Sequence, residues 1–388
     1  MTEVTDTPHS KADISAAQPA AAGRDRAVLS IDLDAVQDNF RTMQGKASGA
    51  ETAAVVKADG YGLGLAQVAT TLAQAGCQTF FVALMHEGIA LRAILPEAVI
   101  YVLNGLPDDD DIEVCAPFHT HALRPCLISP QQMVNWQNYC RQNEALPACL
   151  FVDSGFNRLG LSAEQIADVA DTPALFEGWE LTLIASHLAC ADMPEHKMNA
   201  AQLEAFRHAL AQLPDAPASL ANSGDVLLGS AYHLDKVRCG IARDGGRSQA
   251  TAETALAPVA TLRAPLLQTR HLSAGDAVGY GADFAATGEM TIGIVGLGYG
   301  DGLGRHFGNQ SGRARLMING HPVPLVGRIS MDSLAVDLTD CPQTPKAGDM
   351  VEVFGPNNPI DGLAGQGATL SYELLTGLGS RYKRIYRS

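Results

Sequence analysis

The chain has 388 residues, with 27 Lys and Arg against 42 Asp and Glu for a formal net charge of −15, and 46% of its residues are apolar. At ~150 residues per domain, that length accommodates two to three domains, and the apolar content excludes a chain disordered throughout. The acidic balance, with no basic cluster interleaved with aromatics, excludes a nucleic-acid binder and a binder of anionic membranes. No run of about 18 uncharged apolar residues marks a membrane span. The N-terminus also lacks the basic-then-apolar order of a signal peptide, so a cytoplasmic location is expected.

In chain order, residues 1–26 are rich in Thr, Ala, Ser, Gln and Pro without a sustained apolar period, which predicts a disordered leader. From Val28 onward short apolar strands alternate with helical stretches. The predicted strands are Ala53–Lys57, Thr79–Leu84, Val99–Leu103, Ala148–Asp153, Leu181–His187, Ala218–Asn222 and Lys236–Cys239, with a less regular one near Arg124–Leu127. Helices are expected over Gly64–Gly76, Ser162–Asp171 and Glu195–Leu213; the second opens on Ser162 with Gln165 three residues later, a capping-box pattern. Repeated strand-then-helix units predict an α/β fold, an N-terminal (β/α)8 TIM-type barrel over residues 27–265.

Beyond Pro265 the pattern changes to strand-like runs split by Gly, Asn and Pro: Glu289–Gly293, Arg313–Ile318, Val323–Gly327, Ser333–Asp337 and Asp349–Phe354. Strands without intervening helices predict a mainly antiparallel β domain over 266–388, with one helix over Ala364–Gly377. None of the eight cysteines falls in a C-x-x-C pair, and most sit in apolar runs, so they read as reduced, buried thiols rather than a disulfide framework or zinc ligands. The acidic run Asp108–Asp111 reads as a helix N-terminus or solvated loop rather than a metal site.

The strongest chemical signal is AAVVKADGYGLG, in which Lys57 ends a buried strand and runs into a turn containing Gly60, Gly62 and Gly64. The C-terminal ends of barrel strands are where such barrels carry their chemistry. Desolvation there lowers an amine's pKa and makes it a nucleophile able to form a Schiff base. By position alone, a solvated strand-end lysine is the competing reading.

Further motifs decide between the two. The Lys57 string, VDSGFNRLG (152–160), SHLACAD (186–192), ANSG (221–224), VRCGIA (237–242), VGYGADF (278–284), GYGDG (298–302), GRISMD (327–332) and SYELLTGLGSRYKRIY (371–386) follow the order and spacing of the alanine racemases. The chain resembles that family over residues 27–388. The resemblance implies pyridoxal 5′-phosphate (PLP) bound to Lys57, and racemisation of alanine by two bases, Lys57 on one face of the substrate Cα and Tyr280 on the other. An ordinary phenol is a poor base at neutral pH, and the family pattern supports it through His187 and Arg238. Arg238 would also face the cofactor's ring nitrogen. Because an arginine does not yield its proton, that nitrogen would stay unprotonated.

By the same resemblance, Ser223, Gly240, Ile241, Tyr61 and Tyr372 contact the phosphate, and Arg158 and the Met331 main chain contact the substrate carboxylate. The partner implied is a second copy of the chain, in a homodimer with shared active sites. Tyr299 and Tyr372 match gate tyrosines that leave room for a small side chain. Alternatives are a broader alanine/serine racemase, a PLP decarboxylase of the same barrel type, and a non-enzymatic barrel-only PLP binder. The decarboxylase lacks its cysteine-containing C-terminal motif here, and the barrel-only binder lacks a β domain. Two departures stand out: Phe151 occupies the position of a lysine that is often carbamylated in the family, and Arg243-Asp244-Gly245 replaces Leu-Tyr-Gly. Asn157 or a bound anion is the expected support for Arg158.

Overall fold

A computed structural model describes residues 26–388 apart from 48, 108–110, 250–255 and 311–313. The predicted leader therefore lies, except for Arg26, outside the described residues, as do Asp108 to Asp110. In chain order the elements begin with β1 (Val28–Asp32), α1 (Leu33–Lys46), β2 (Glu51–Val55), α2 (Lys57–Tyr61), α3 (Leu65–Gln74), β3 (Thr79–Val82), α4 (Met85–Ile94) and β4 (Val99–Val102). They continue with α5 (Ala116–Thr120), β5 (Arg124–Leu127), α6 (Pro130–Gln142), β6 (Pro147–Phe151), α7 (Ala163–Ala170), β7 (Glu180–Ala185), α8 (Met198–Leu210), β8 (Ala218–Ser219) and β9 (Lys236–Cys239).

Strands β2 to β9 form one parallel sheet in the order β8-β7-β6-β5-β4-β3-β2-β9. A parallel bridge between Asn222 and Arg238 joins its two ends, closing the predicted eight-stranded barrel. Most of its strands are buried on both faces, as a sheet packed inside and covered outside requires. The predicted capping box is present on α7: Ser162 Oγ accepts from the Gln165 N–H at 3.2 Å and the Ser162 N–H donates to Gln165 Oε1 at 3.0 Å. Helix α1 precedes the first barrel strand yet packs between α3 and a 3₁₀ turn at Ile241–Asp244, so it covers the seam where β9 meets β2.

The second half comprises β10 (Ala260–Leu272), a two-stranded hairpin β11 (Ala277–Val278) and β12 (Phe284–Ala285), then β13 (Met290–Val295), β14 (Arg315–Ile318), β15 (His321–Val326), β16 (Leu334–Asp337), β17 (Met350–Phe354), helices α9 (Ile360–Gln366) and α10 (Ser371–Thr376), and β18 (Lys383–Arg387). Antiparallel pairings run β10-β13-β16-β15-β14-β17 and return to β10, a closed ring of six strands.

Two expectations are corrected here. The barrel was expected to begin at residue 27, but β1 pairs antiparallel with β10 and parallel with β18, in the second sheet. The reason is visible in its burial: Leu29 and Ile31 are buried while Val28 and Ser30 are less so, the alternation of a strand with one wet face rather than the continuous burial of a barrel strand. The first residues of β10, before the expected boundary at 265, pair in the same sheet. The single helix expected over Ala364–Gly377 is two, broken where Ala368 takes φ +54°. At Gly367 a Cβ would come within 2.3 Å of the Phe307 ring, so the break is packed around a glycine.

Seven of the cysteines are buried, Cys341 is partly so, and none of these eight is in a disulfide. Among the described residues no helix is long and apolar enough to cross a membrane. Asp111 accepts the Glu113 N–H at 2.9 Å at the head of a 3₁₀ turn, the helix-end role expected for its acidic run.

Candidate active site

Lys57 leaves the C-terminal end of β2 and begins an unusual turn. Ala58, Asp59, Gly60 and Tyr61 all have φ between +53° and +63°, one turn of left-handed helix. Each non-glycine residue in that conformation costs roughly 1–2 kcal/mol, so tertiary contacts must hold it. Asp59 Oδ1 accepts the Leu65 N–H at 2.8 Å across the turn. At Gly62 a Cβ would collide with the Leu375 carbonyl at 2.0 Å, so the turn presses against α10.

The turn forms one wall of a cavity of about 480 Å³ at the C-terminal mouth of the barrel. Nine of the eleven predicted site residues line it: Lys57, Tyr61, Arg158, His187, Ser223, Arg238, Gly240, Ile241 and Tyr372. Three of these are cationic, and no carboxylate is among the lining residues. The cavity is therefore built for a ligand bearing several negative charges.

Arg238, on β9, is buried, and both of its terminal nitrogens are engaged. Its Nη1 donates to the Ser219 carbonyl at 2.8 Å and to Ser219 Oγ at 2.6 Å; its Nη2 donates to the Leu220 carbonyl at 3.2 Å and to the Ser186 carbonyl. Nη2 also lies 3.5 Å from His187 Nδ1. A guanidinium offers only donors, so Nδ1 is the acceptor and the neutral imidazole carries its proton on Nε2. Burial, reinforced by the charges of Arg238, Arg158 and Lys57, pushes His187 down to about 3, so the ring is neutral at physiological pH. Burial likewise lowers Lys57, with Arg158 and Arg238 adding to the effect and Glu87 opposing it.

At the other end, Ser223 Oγ accepts the Gly240 N–H at 2.9 Å and the Ala242 N–H at 3.5 Å. A Cβ at Gly240 would come within 2.6 Å of the Tyr61 hydroxyl, so only glycine lets this loop close on that ring. The Tyr61 and Tyr372 rings lie 6.3 Å apart. Burial pushes the Tyr61 phenol up to about 12, so it stays protonated and can donate. Hydroxyls and backbone N–H groups beside the last two barrel strands suit a phosphate. With a lysine at the opposite wall, the residues present fit PLP.

Both halves of the chain match models of one family: the alanine racemase N-terminal domain over residues 31–247 and the C-terminal domain over 259–386. The chain belongs to the alanine racemase family. A catabolic alanine racemase of Agrobacterium fabrum is 41% identical over 377 residues, covering 96% of this chain and 95% of the relative. The biosynthetic alanine racemase of the same organism is 40% identical, covering 92% and 93%. Among solved structures, the alanine racemase of Bartonella henselae with covalently bound pyridoxal phosphate superposes with a TM-score of 0.88 at 40% identity, covering 93% of this chain and 99% of that one.

Against the alanine racemase motifs, two predicted site residues fall outside the cavity. Tyr280 sits at the tip of the β11–β12 hairpin, 70% exposed, and Met331 is 53% exposed beyond β15. Nearby, Arg328 pairs with Asp283, and the Gly300 N–H donates to the Met331 carbonyl at 2.8 Å.

The two departures from the alanine racemase pattern have distinct outcomes. Phe151 is buried at the end of β6 and lines the cavity, and Arg158 lies over the Phe156 ring at 4.1 Å with no ion pair among the described residues. The Phe156 ring thus gives Arg158 an aromatic face to rest on. Asn157, expected to help, uses its backbone N–H on Asp153 Oδ1 at 3.1 Å. Arg243 and Asp244 form a fully buried ion pair at 2.8 Å beneath the site. Arg243 also donates to the Val55 carbonyl at 2.9 Å and lies 5.4 Å from the Tyr61 ring centre.

Sequence reasoning missed Leu103 and Asn104, which follow β4, and Asn222 and Thr376, all of them lining residues. The first two could have been found by taking the residues just past every barrel strand.

Proposed function

We propose that this chain is a PLP-dependent alanine racemase that interconverts L- and D-alanine with two bases, Lys57 and Tyr280. The observation that carries the reading is Lys57 in a carboxylate-free cavity beside Arg158 and Arg238. Lys57 would hold the cofactor covalently, with Ser223, Gly240, Ile241, Tyr61 and Tyr372 at its phosphate. Bound there, PLP supplies an electron sink for the negative charge left at the substrate Cα. The lowered amine pKa suits Lys57 to moving a proton there near neutral pH. Arg158 offers a planar guanidinium to the substrate carboxylate.

The opposite face of the substrate needs a second base. His187, protonated on Nε2 and backed by Arg238, can donate a hydrogen bond to a phenol oxygen and favour its ionised form. Tyr280 of the same chain does not line the cavity. A second copy of the chain would bring its Tyr280 and the main chain at Met331 to this mouth, shutting out water. The exposure of both residues supports that arrangement, a homodimer with shared sites. Serine, which adds one hydroxyl to alanine, is the test case for a wider substrate range, since such a difference is typically worth only ~1–3 kcal/mol of discrimination.

The experiment is to incubate the purified chain, loaded with PLP, with L-alanine and with L-serine, and to follow optical rotation. Decay of the L-alanine rotation to zero, faster than for serine, is expected. Unchanged rotation for both amino acids, with lysine-bound cofactor visible by absorbance, would overturn the assignment.

A further inference from the structure

Two side chains from distant segments hold the left-handed turn that carries Lys57: Arg384 donates to the Gly62 carbonyl at its end at 2.9 Å, and Glu87 accepts at its start. Glu87 stands in the first turn of α4, after the next barrel strand. Its Oε2 accepts the Ala83 N–H at 2.8 Å and the Leu84 N–H at 3.0 Å, as a helix cap does. Its Oε1 does something a cap does not: it accepts the Ala58 N–H at 2.7 Å, 29 residues earlier and next to Lys57.

We infer that Glu87 is a positioning residue for Lys57, clamping the backbone of its turn to the β3–α4 junction and setting a negative charge against the amine. The inference rests on the reading of Lys57 as the cofactor-binding lysine. Ala58 is the first residue of the left-handed turn, at φ +53°, and it is not a glycine. Its N–H precedes the first hydrogen bonds of that turn, which run from Gly60 to Val56 and from Gly62 to Ala58. Without Glu87 that donor has no protein partner, and the strained residues Ala58 and Asp59 lose the contact that offsets them.

The electrostatics point the same way. The groups that act on the Lys57 amine are Arg158 beyond β6, Arg238 on β9 and Glu87 on α4, and the ring of His187 beyond β7 is neutral. Both arginines disfavour the ammonium form. Glu87 alone opposes them, so it keeps the amine able to take up the proton it must remove from the substrate.

Three full-length proteins test this: wild type, Glu87→Gln and Glu87→Asp. Each is stripped of cofactor and mixed with PLP across a pH series, and the rate at which lysine-bound absorbance appears is recorded. Only the unprotonated amine attacks the aldehyde, so this rate rises through the Lys57 pKa. Removing the carboxylate charge in Glu87→Gln should move the midpoint to lower pH. It should also cut kcat on the order of 10-fold or more, because a misplaced reacting group is costly. Glu87→Asp keeps the charge but is too short to span both junctions, so it should lower kcat with a smaller shift of the midpoint.

A helix cap alone would change the unfolding temperature and leave the midpoint in place. An unshifted midpoint with kcat within twofold of wild type in Glu87→Gln would therefore overturn the inference. Should that variant not fold, wild-type kcat in Glu87→Asp would do so. Failure of wild type itself to develop lysine-bound absorbance would instead sink the reading of Lys57, a separate outcome.

Discussion

The barrel mouth and the outer face of the β domain present functional side chains in opposite ways. At the mouth, Arg238 is locked by four carbonyl or hydroxyl acceptors and a histidine, Gly240 closes on Tyr61, and the lysine turn is fastened at several points. On the β domain, Tyr280, Tyr299, Met331 and Leu267 are large side chains left in water. A folded chain leaves aromatic and methionine side chains out together where another surface is to cover them. One half of the proposed site is preorganised within the chain, and the proposal assigns the other to a second copy.

The largest expected effect falls on the preorganised half. Lys57→Ala should abolish lysine-bound absorbance and lower racemisation by at least about 10⁴-fold, since it removes both the covalent anchor and a base. Retention of a covalently bound cofactor in that variant would contradict the role given to Lys57.

Tyr280→Phe probes the displayed half and should cost about 10²- to 10⁴-fold. Because Tyr280 is exposed, its unfolding temperature should stay within the small range of surface substitutions. Exchange of the Cα hydrogen with solvent should be lost for one enantiomer and persist for the other. Mixing Lys57→Ala with Tyr280→Phe chains should then restore up to about half of the wild-type activity per heterodimer, one intact site of two. No recovery after demonstrated subunit exchange would place both bases in one chain.

A smaller effect lies beneath the mouth. Asp225 is fully buried; its Oδ2 accepts the Asn222 N–H at 2.8 Å, and its Oδ1 has no partner among the described residues. Burial raises its carboxyl from 3.8 to about 7, so the folded protein keeps a proton that the unfolded chain has released. The stability this proton provides is whole below pH 3.8 and is lost as the pH rises to about 7. Asp225→Asn should therefore gain on the order of a few kcal/mol over wild type at alkaline pH and nothing near pH 4. Urea midpoints at the two pH values measure this; equal differences at both would refute it.

Much of this was determined by the sequence alone, because it is local. Continuous apolar runs bounded by turns specify buried parallel strands, Ser162 and Gln165 cap their own helix, and the strand-end position of Lys57 needs only its neighbours. Family motifs add the roles of residues such as Tyr280. What only the tertiary structure decided is non-local. β1 joins a sheet completed more than 200 residues later, because its alternating face finds its partners there. The oppositely charged neighbours Arg243 and Asp244, unremarkable in a string, become a buried pair under Tyr61 because Val55 and α1 close over them. Glu87 reads as a helix cap until the fold carries its second oxygen to Ala58. Hydrogen bonds and ion pairs of this kind depend on two distant segments arriving at one place, and packing of the whole chain sets that meeting.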